Sequence, residues 1–265
     1  MPPSTGGAAP GGNVFNDSEI LGSPVAVAIA ALAAVGFVVC LLQLARRGRT
    51  EDRSAVPPEP GLAWWRAGAY FCVCLIVAWL TGALATIDLG ATFVNDGSLT
   101  ATGWWAFTAL CVAVEIVAYW VVWPRGTYTL DRPRDLARQV PFGLAWGICQ
   151  GLMFLSIQFA ISALPVSDLV VGILAFVAIA TFQGLWHGLY WDRFVAPEHN
   201  DPTWNLPKVL CCHVPNLAVT LTYLTIVGNE VMFVGFQTIA LLGSTIYMRF
   251  PRYPARSAAV AVAQR

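Results

Sequence analysis

Glu115 is the one carboxyl set deep inside any apolar stretch of this 265-residue chain, and an ionisable group in hydrocarbon is by default a candidate for proton chemistry. It stands ten residues before Arg125, or roughly 15 Å from that basic end at ~1.5 Å per residue. That depth is near the middle of a bilayer. The charged form is costly there, so the acid serves either as a proton donor and acceptor or, in its neutral form, as a hydrogen bond gluing two helices. Two histidines make the second half of the candidate chemistry. His187 comes six residues before Arg193 and His213 five after Lys208, so on a helical hairpin both lie roughly 8–9 Å inside the same surface. A facing imidazole pair suits acid–base work near neutral pH, substrate hydrogen bonding, or ligation of a metal or haem. Only one further histidine exists, His199 in a Glu198–Asp201 turn, which suits a turn better than a ligand set. No metal or cofactor is expected. Glu115, His187 and His213 are therefore the predicted catalytic residues.

Amide and aromatic side chains accompany them at helical spacing. Gln183 and His187 are four apart and share a face with Trp186 nearby, while His213, Asn216, Thr220 and Tyr223 make a polar stripe on an otherwise apolar run. Gln237 and Gln150 fall at comparable depth on two other stretches. Gln150, Gln183, Asn216, Gln237, Tyr223 and Trp186 are accordingly the predicted substrate-binding set, lining a polar pocket open toward the cytoplasm.

What must position these residues is a set of membrane spans. Seven apolar stretches, at about 21–45, 66–87, 104–123, 141–163, 168–191, 208–227 and 229–248, are each near the ~20 residues that cross a bilayer. A composition 57% hydrophobic and 11% charged, with mean hydropathy +0.63, exceeds what a soluble core of this size would bury. The 15 basic residues then fix a direction. With the amino terminus outside, Arg46, Arg47, Arg49, Arg53, Arg66, Arg125, Arg132, Arg134, Arg138, Arg193, Lys208, Arg249, Arg252, Arg256 and Arg265 all fall in cytoplasmic segments, as the positive-inside rule requires. The expected fold is an all-α bundle of seven transmembrane helices with a cytoplasmic carboxyl terminus. A disordered outer tail at 1–20 precedes the bundle at 21–248, and a cytoplasmic tail at 249–265 follows it. The amino-terminal tail lacks the basic region of a signal peptide. Arginine outnumbers lysine fourteen to one, a hint of a GC-rich bacterial genome, and the expected location is a bacterial inner membrane.

The first two spans are nearly pure hydrocarbon and read as scaffold, so spans 3 to 7 carry the pocket. Span 4 offers Gly143, Gly147 and Gly151, a small-residue series that lets another helix come close. Asp168, Asn229 and Glu230 suit helix starts, and the seven cysteines, all inside spans, suit packing. Retinal proteins are excluded, because the last span has no lysine for the chromophore. In architecture alone the chain is loosely similar to integral-membrane terpene cyclases and sterol isomerases, which use membrane acids and aromatics on lipophilic substrates. The expectation is an enzyme of lipid or isoprenoid metabolism, with membrane lipids and a hydrophobic small molecule as partners and no nucleic acid. A proton-coupled transporter using Glu115, or an accessory subunit, are the alternatives. Sequence leaves the oligomeric state open.

Overall fold

The computed structural model describes residues 60–126, 133–191 and 208–250, apart from single positions at 92, 94, 96, 98 and 188. The expected tail at 1–20, the first span at 21–45 and nearly all of the tail at 249–265 lie outside these residues. All regular structure among the described residues is helical. Five helices are long and apolar enough to cross a membrane: Ala101–Arg125, Leu136–Ser162, Leu169–Trp191, Val209–Val227 and Glu230–Tyr247. A further helix, α1 (Pro60–Leu80), carries a shorter apolar run.

α1 stops earlier than the 87 expected from hydropathy. Gly82 takes the left-handed conformation (φ +78°), which ends the helix, and Ala83–Thr86 and Leu89–Ala91 are short 3₁₀ turns. α2 (Ala101–Glu115) begins at Thr100, whose side chain accepts from the amide of Gly103 at 3.1 Å. It continues as a π-helical stretch over Ile116–Val122 and a 3₁₀ turn over Trp123–Gly126. α3 (Leu136–Ser162) is the most deeply buried helix, and α4 (Asp168–Trp186) follows after a short turn. The cap position of α4 is Ser167, which makes no side-chain cap bond; Asp168, expected as the cap, is the first helical residue. α4 passes into a π-helical stretch at 187 and 189–191, and another, Val209–His213, leads into α5 (Val214–Val227). Pro215 explains that widening: it has no N–H to donate one turn back, so the preceding turn cannot close in the α register. Gly228 (φ +66°) then reverses the chain, and Asn229 caps α6 (Glu230–Tyr247) by accepting from the amide of Met232 at 3.0 Å.

The bundle is built on α3 and α6, the most extensive helix pair. Along α3 the glycine series lies directly on the α6 backbone. A Cβ at Gly143 would stand 2.9 Å from Leu242 Cα, one at Gly151 3.0 Å from Val234 Cα, and one at Gly147 closer still to Thr238 Cα. Only glycine permits that approach. Elsewhere on α6, Gly243 accommodates the indole of Trp120, whose Nε1 donates to the Ile239 carbonyl at 2.8 Å, so the π-helical stretch of α2 is docked on α6. Aromatic rings join α1, α3 and the end of α4, with Trp64 of α1 edge-on to Phe142 of α3 at 4.7 Å. Tyr70 stacks on Trp186 at 4.4 Å, Trp146 stacks on Trp191 at 4.2 Å, and Tyr190 donates to the Arg66 carbonyl at 2.7 Å.

Candidate functional site

α2 and α5 meet along a seam of polar side chains. On α2 and its continuation, Thr108, Cys111, Glu115, Tyr119 and Trp123 recur every three or four residues; on α5 and the π-helical stretch before it, His213, Asn216, Thr220 and Tyr223 do the same, with Cys212 beside His213. Two π-helical stretches fall on this seam, one immediately after Glu115 and one ending two residues before Pro215; a third, at 187 and 189–191, follows α4. Such widened turns are frequent at functional sites, because they re-aim side chains that a regular helix would carry off the face.

At the Lys208 end the seam is aromatic and basic. The buried Lys208 ammonium sits 5.1 Å from the ring centre of Trp123, a cation–π contact. The His213 ring packs edge-on against Trp123 at 4.7 Å, and the half-buried His187 lies 5.8 Å from His213 between ring centres. The two histidines expected at one level thus do stand side by side. One turn deeper, Tyr119 stacks on Trp123 at 5.6 Å and its hydroxyl contacts His213 Nδ1 at 3.0 Å.

The middle of the seam is a closed amide network. Asn216 Nδ2 donates to the Tyr119 hydroxyl and to Gln237 Oε1, each at 3.1 Å, and Gln237 Nε2 donates back to Asn216 Oδ1 at 2.8 Å. Gln237 Nε2 also reaches Thr220 Oγ1 at 3.2 Å, while Thr220 gives its own proton to the Asn216 carbonyl at 2.8 Å. In this arrangement each amide nitrogen faces the other amide's oxygen. A buried network is stabilising only when its members are matched, and these are.

Glu115 is the exception. It is fully buried, yet neither carboxyl oxygen has a hydrogen-bond partner among the described residues. Tyr119, Cys111 and Cys212 are its neighbours within electrostatic reach. The thiol of Cys212 is itself occupied, donating to the Ala118 carbonyl at 3.1 Å. Beyond Glu115 the seam closes: Thr108 donates to the Tyr223 hydroxyl at 3.3 Å, and Trp104, Cys111, Tyr223, Val227 and Phe236 form a separate buried cluster.

The expected site residues therefore part company. Glu115, His213, His187, Asn216 and Gln237 gather on or beside the seam. Tyr223 belongs to the apolar plug, packed on Phe107 at 5.2 Å and Phe236 at 5.0 Å. Trp186 lies in the aromatic joint with α1. Gln150 is buried on α3 but joins no hydrogen bond in the network, and Gln183 is buried with its Nε2 unpartnered. Two residues that the sequence did not single out are Tyr119 and the buried Lys208. Tyr119 gave one available signal, its position four residues after Glu115. No group of three His, Cys, Asp or Glu side chains able to hold a metal ion occurs among the described residues.

Fold and seam together define an all-helical chain of multi-pass membrane type, with a buried acid at the centre of its polar line. The chain matches no protein-family model, no curated protein and no solved structure.

Proposed function

We propose that this chain is a membrane-embedded acid–base enzyme acting on a lipophilic substrate of lipid or isoprenoid type, as a cyclase or isomerase does, in a bacterial inner membrane. The observation that carries the reading is the Glu115 carboxyl, wholly buried with both oxygens unused. Retaining such a group costs stability, and a role in moving a proton accounts for the cost. Glu115 donates or takes the proton, and His213 with His187 carries it toward the Lys208 end. Two other buried donors without partners, Gln183 Nε2 and Trp123 Nε1, are suited to an oxygen on the substrate. Asn216 and Gln237, already satisfied by each other, frame the site rather than bind. The plug of Trp104, Tyr223, Val227 and Phe236 supports a pocket closed on that side.

A proton-coupled carrier is the second reading. The Thr108–Tyr223 hydrogen bond favours it, because it continues polar contact past Glu115.

Mass spectrometry of lipids from cells carrying the native chain or Glu115→Gln tests both. The enzyme reading expects one lipophilic species to accumulate and another to vanish in the variant. The carrier reading expects an unchanged lipid profile, with proton uptake into vesicles lost. A variant that alters neither lipids nor proton uptake refutes an active role for Glu115.

A further inference from the structure

The proton path between Glu115 and the histidines has one gap to cross, and a single side chain stands in it. Tyr119 follows Glu115 by one helical turn, is buried, and touches His213. Gln237 Nε2 donates to Asn216 Oδ1 at 2.8 Å, and the amide nitrogen of Asn216 faces Tyr119 and donates to the phenol oxygen at 3.1 Å. With His213 in its Nε2–H tautomer, Nδ1 accepts the phenol proton at 3.0 Å. That arrangement leaves His213 carrying its own proton on Nε2 and leaves one lone pair on the phenol oxygen unused.

We propose that Tyr119 is the proton relay between Glu115 and His213, a positioning residue held in its transferring orientation by the Asn216–Gln237 amide pair. This rests on the reading of Glu115 as a protonation site. In the step, the Glu115 side chain rotates to bring its O–H to the unused lone pair of the Tyr119 oxygen, that O–H bond breaks, and its proton forms a bond to the Tyr119 oxygen. In the same event the original phenol proton passes to His213 Nδ1. The phenol ends neutral as it began, Glu115 becomes a carboxylate, and His213 becomes an imidazolium protonated on both nitrogens. The Nε2 proton can then leave toward His187, whose ring lies 5.8 Å away between centres. The reverse sequence recharges Glu115. No electron moves and no co-reactant is needed.

The test is infrared spectroscopy of the full chain in lipid nanodiscs, with no substrate required. The carboxylic-acid C=O band that disappears in Glu115→Gln is assigned to Glu115, and its shift after transfer to D2O is followed in time. Tyr119→Phe keeps the ring stacked on Trp123 but removes the hydroxyl, and should slow that exchange on the order of 10²-fold, the scale of a positioned proton-transfer group. His213→Gln should slow it similarly, since an amide accepts the phenol hydrogen bond but cannot take up the proton. Thermal unfolding of each variant checks folding. A merely structural role would loosen the site and speed exchange, or leave it unchanged, and either result in both variants overturns the relay while Glu115 remains the protonated site. If no acid band is lost in Glu115→Gln, Glu115 is not the protonated group and the underlying reading falls as well.

Discussion

Replacing Glu115 by leucine is expected to make the fold more stable while removing its function. A buried polar group left without a partner costs about 1–3 kcal/mol relative to an apolar group of similar shape. Both carboxyl oxygens of Glu115 are in that condition. Leucine is close in volume but branched, and reseating the neighbouring Cys111 and Tyr119 returns up to ~1.5 kcal/mol of the gain. The expected net is a stabilisation of about 1 kcal/mol, or a rise of roughly 2–4 °C in unfolding temperature. Glu115→Gln keeps one unpartnered donor and one unpartnered acceptor, so its stability should stay within ~0.5 kcal/mol of the native chain. Thermal unfolding in detergent, read by the fluorescence of the chain's 11 tryptophans, measures all three proteins. A fall of several degrees in Glu115→Leu with Glu115→Gln unchanged would refute the reasoning, because that pattern belongs to a neutral acid whose hydrogen bonds hold two helices together.

Three further outcomes follow from the packing and the charge pattern. Gly147→Ala must push α6 off α3 at backbone level and should cost about 1–3 kcal/mol, whereas Gly235→Ala on α6, with open space around its Cβ, should be neutral or stabilise by about 0.5–1 kcal/mol; thermal unfolding of both separates the α3–α6 contact from the open face of α6. Asn216→Leu and Gln237→Leu should each destabilise by about 1–3 kcal/mol, since each strands its partner's amide, and the double variant should cost less than the sum in a double-mutant cycle. Single cysteines placed at positions 95 and 165 in a cysteine-free chain should react with an impermeant reagent in intact cells, and those at 55, 130 and 200 only after permeabilisation; labelling of 130 in intact cells contradicts the inferred direction.

Much of the helix content was legible because hydrocarbon imposes it: every backbone polar group must be paired within the segment, so a long apolar run has little choice but to be helical. The glycine series at 143, 147 and 151 showed in the same way that some helix would come close, but not which. The partner, α6, is defined by a fit of Thr238, Leu242 and Val234 that no spacing reveals. Asn216 and Gln237 were readable as buried amides, while their mutual pairing required knowing the rotation of α5 against α6. Gln150 and Gln183 had the same signature, amides at the same depth, and stayed out of the network because depth says nothing about direction around a helix axis. Tyr119 went unnoticed for a different reason. A tyrosine among Val, Ala and Trp reads as packing, and only its hydroxyl's neighbours distinguish it. Trp186 and Tyr223 show the converse: aromatics near polar groups by sequence, their rings also pack between helices, on Tyr70 and on Phe107 and Phe236.

The widened turn after Glu115 makes the site tolerant of a change in chain length. A π-helical turn holds an extra residue, so it works as an insertion that the surrounding helix absorbs. Across Ile116–Val122 it keeps Glu115, Tyr119 and Trp123, spaced four and four apart, on one face, where a regular helix would carry the last of them about 80° round the axis. Removing one residue there, such as the largely exposed Val117, returns α2 to the regular register with the same three side chains three and then four apart, the spacing that shares one face of an α-helix. The alignment of the seam should therefore survive the loss of that residue, while the same deletion in the regular helix before Glu115 would turn Thr108 and Cys111 about 100° away from it.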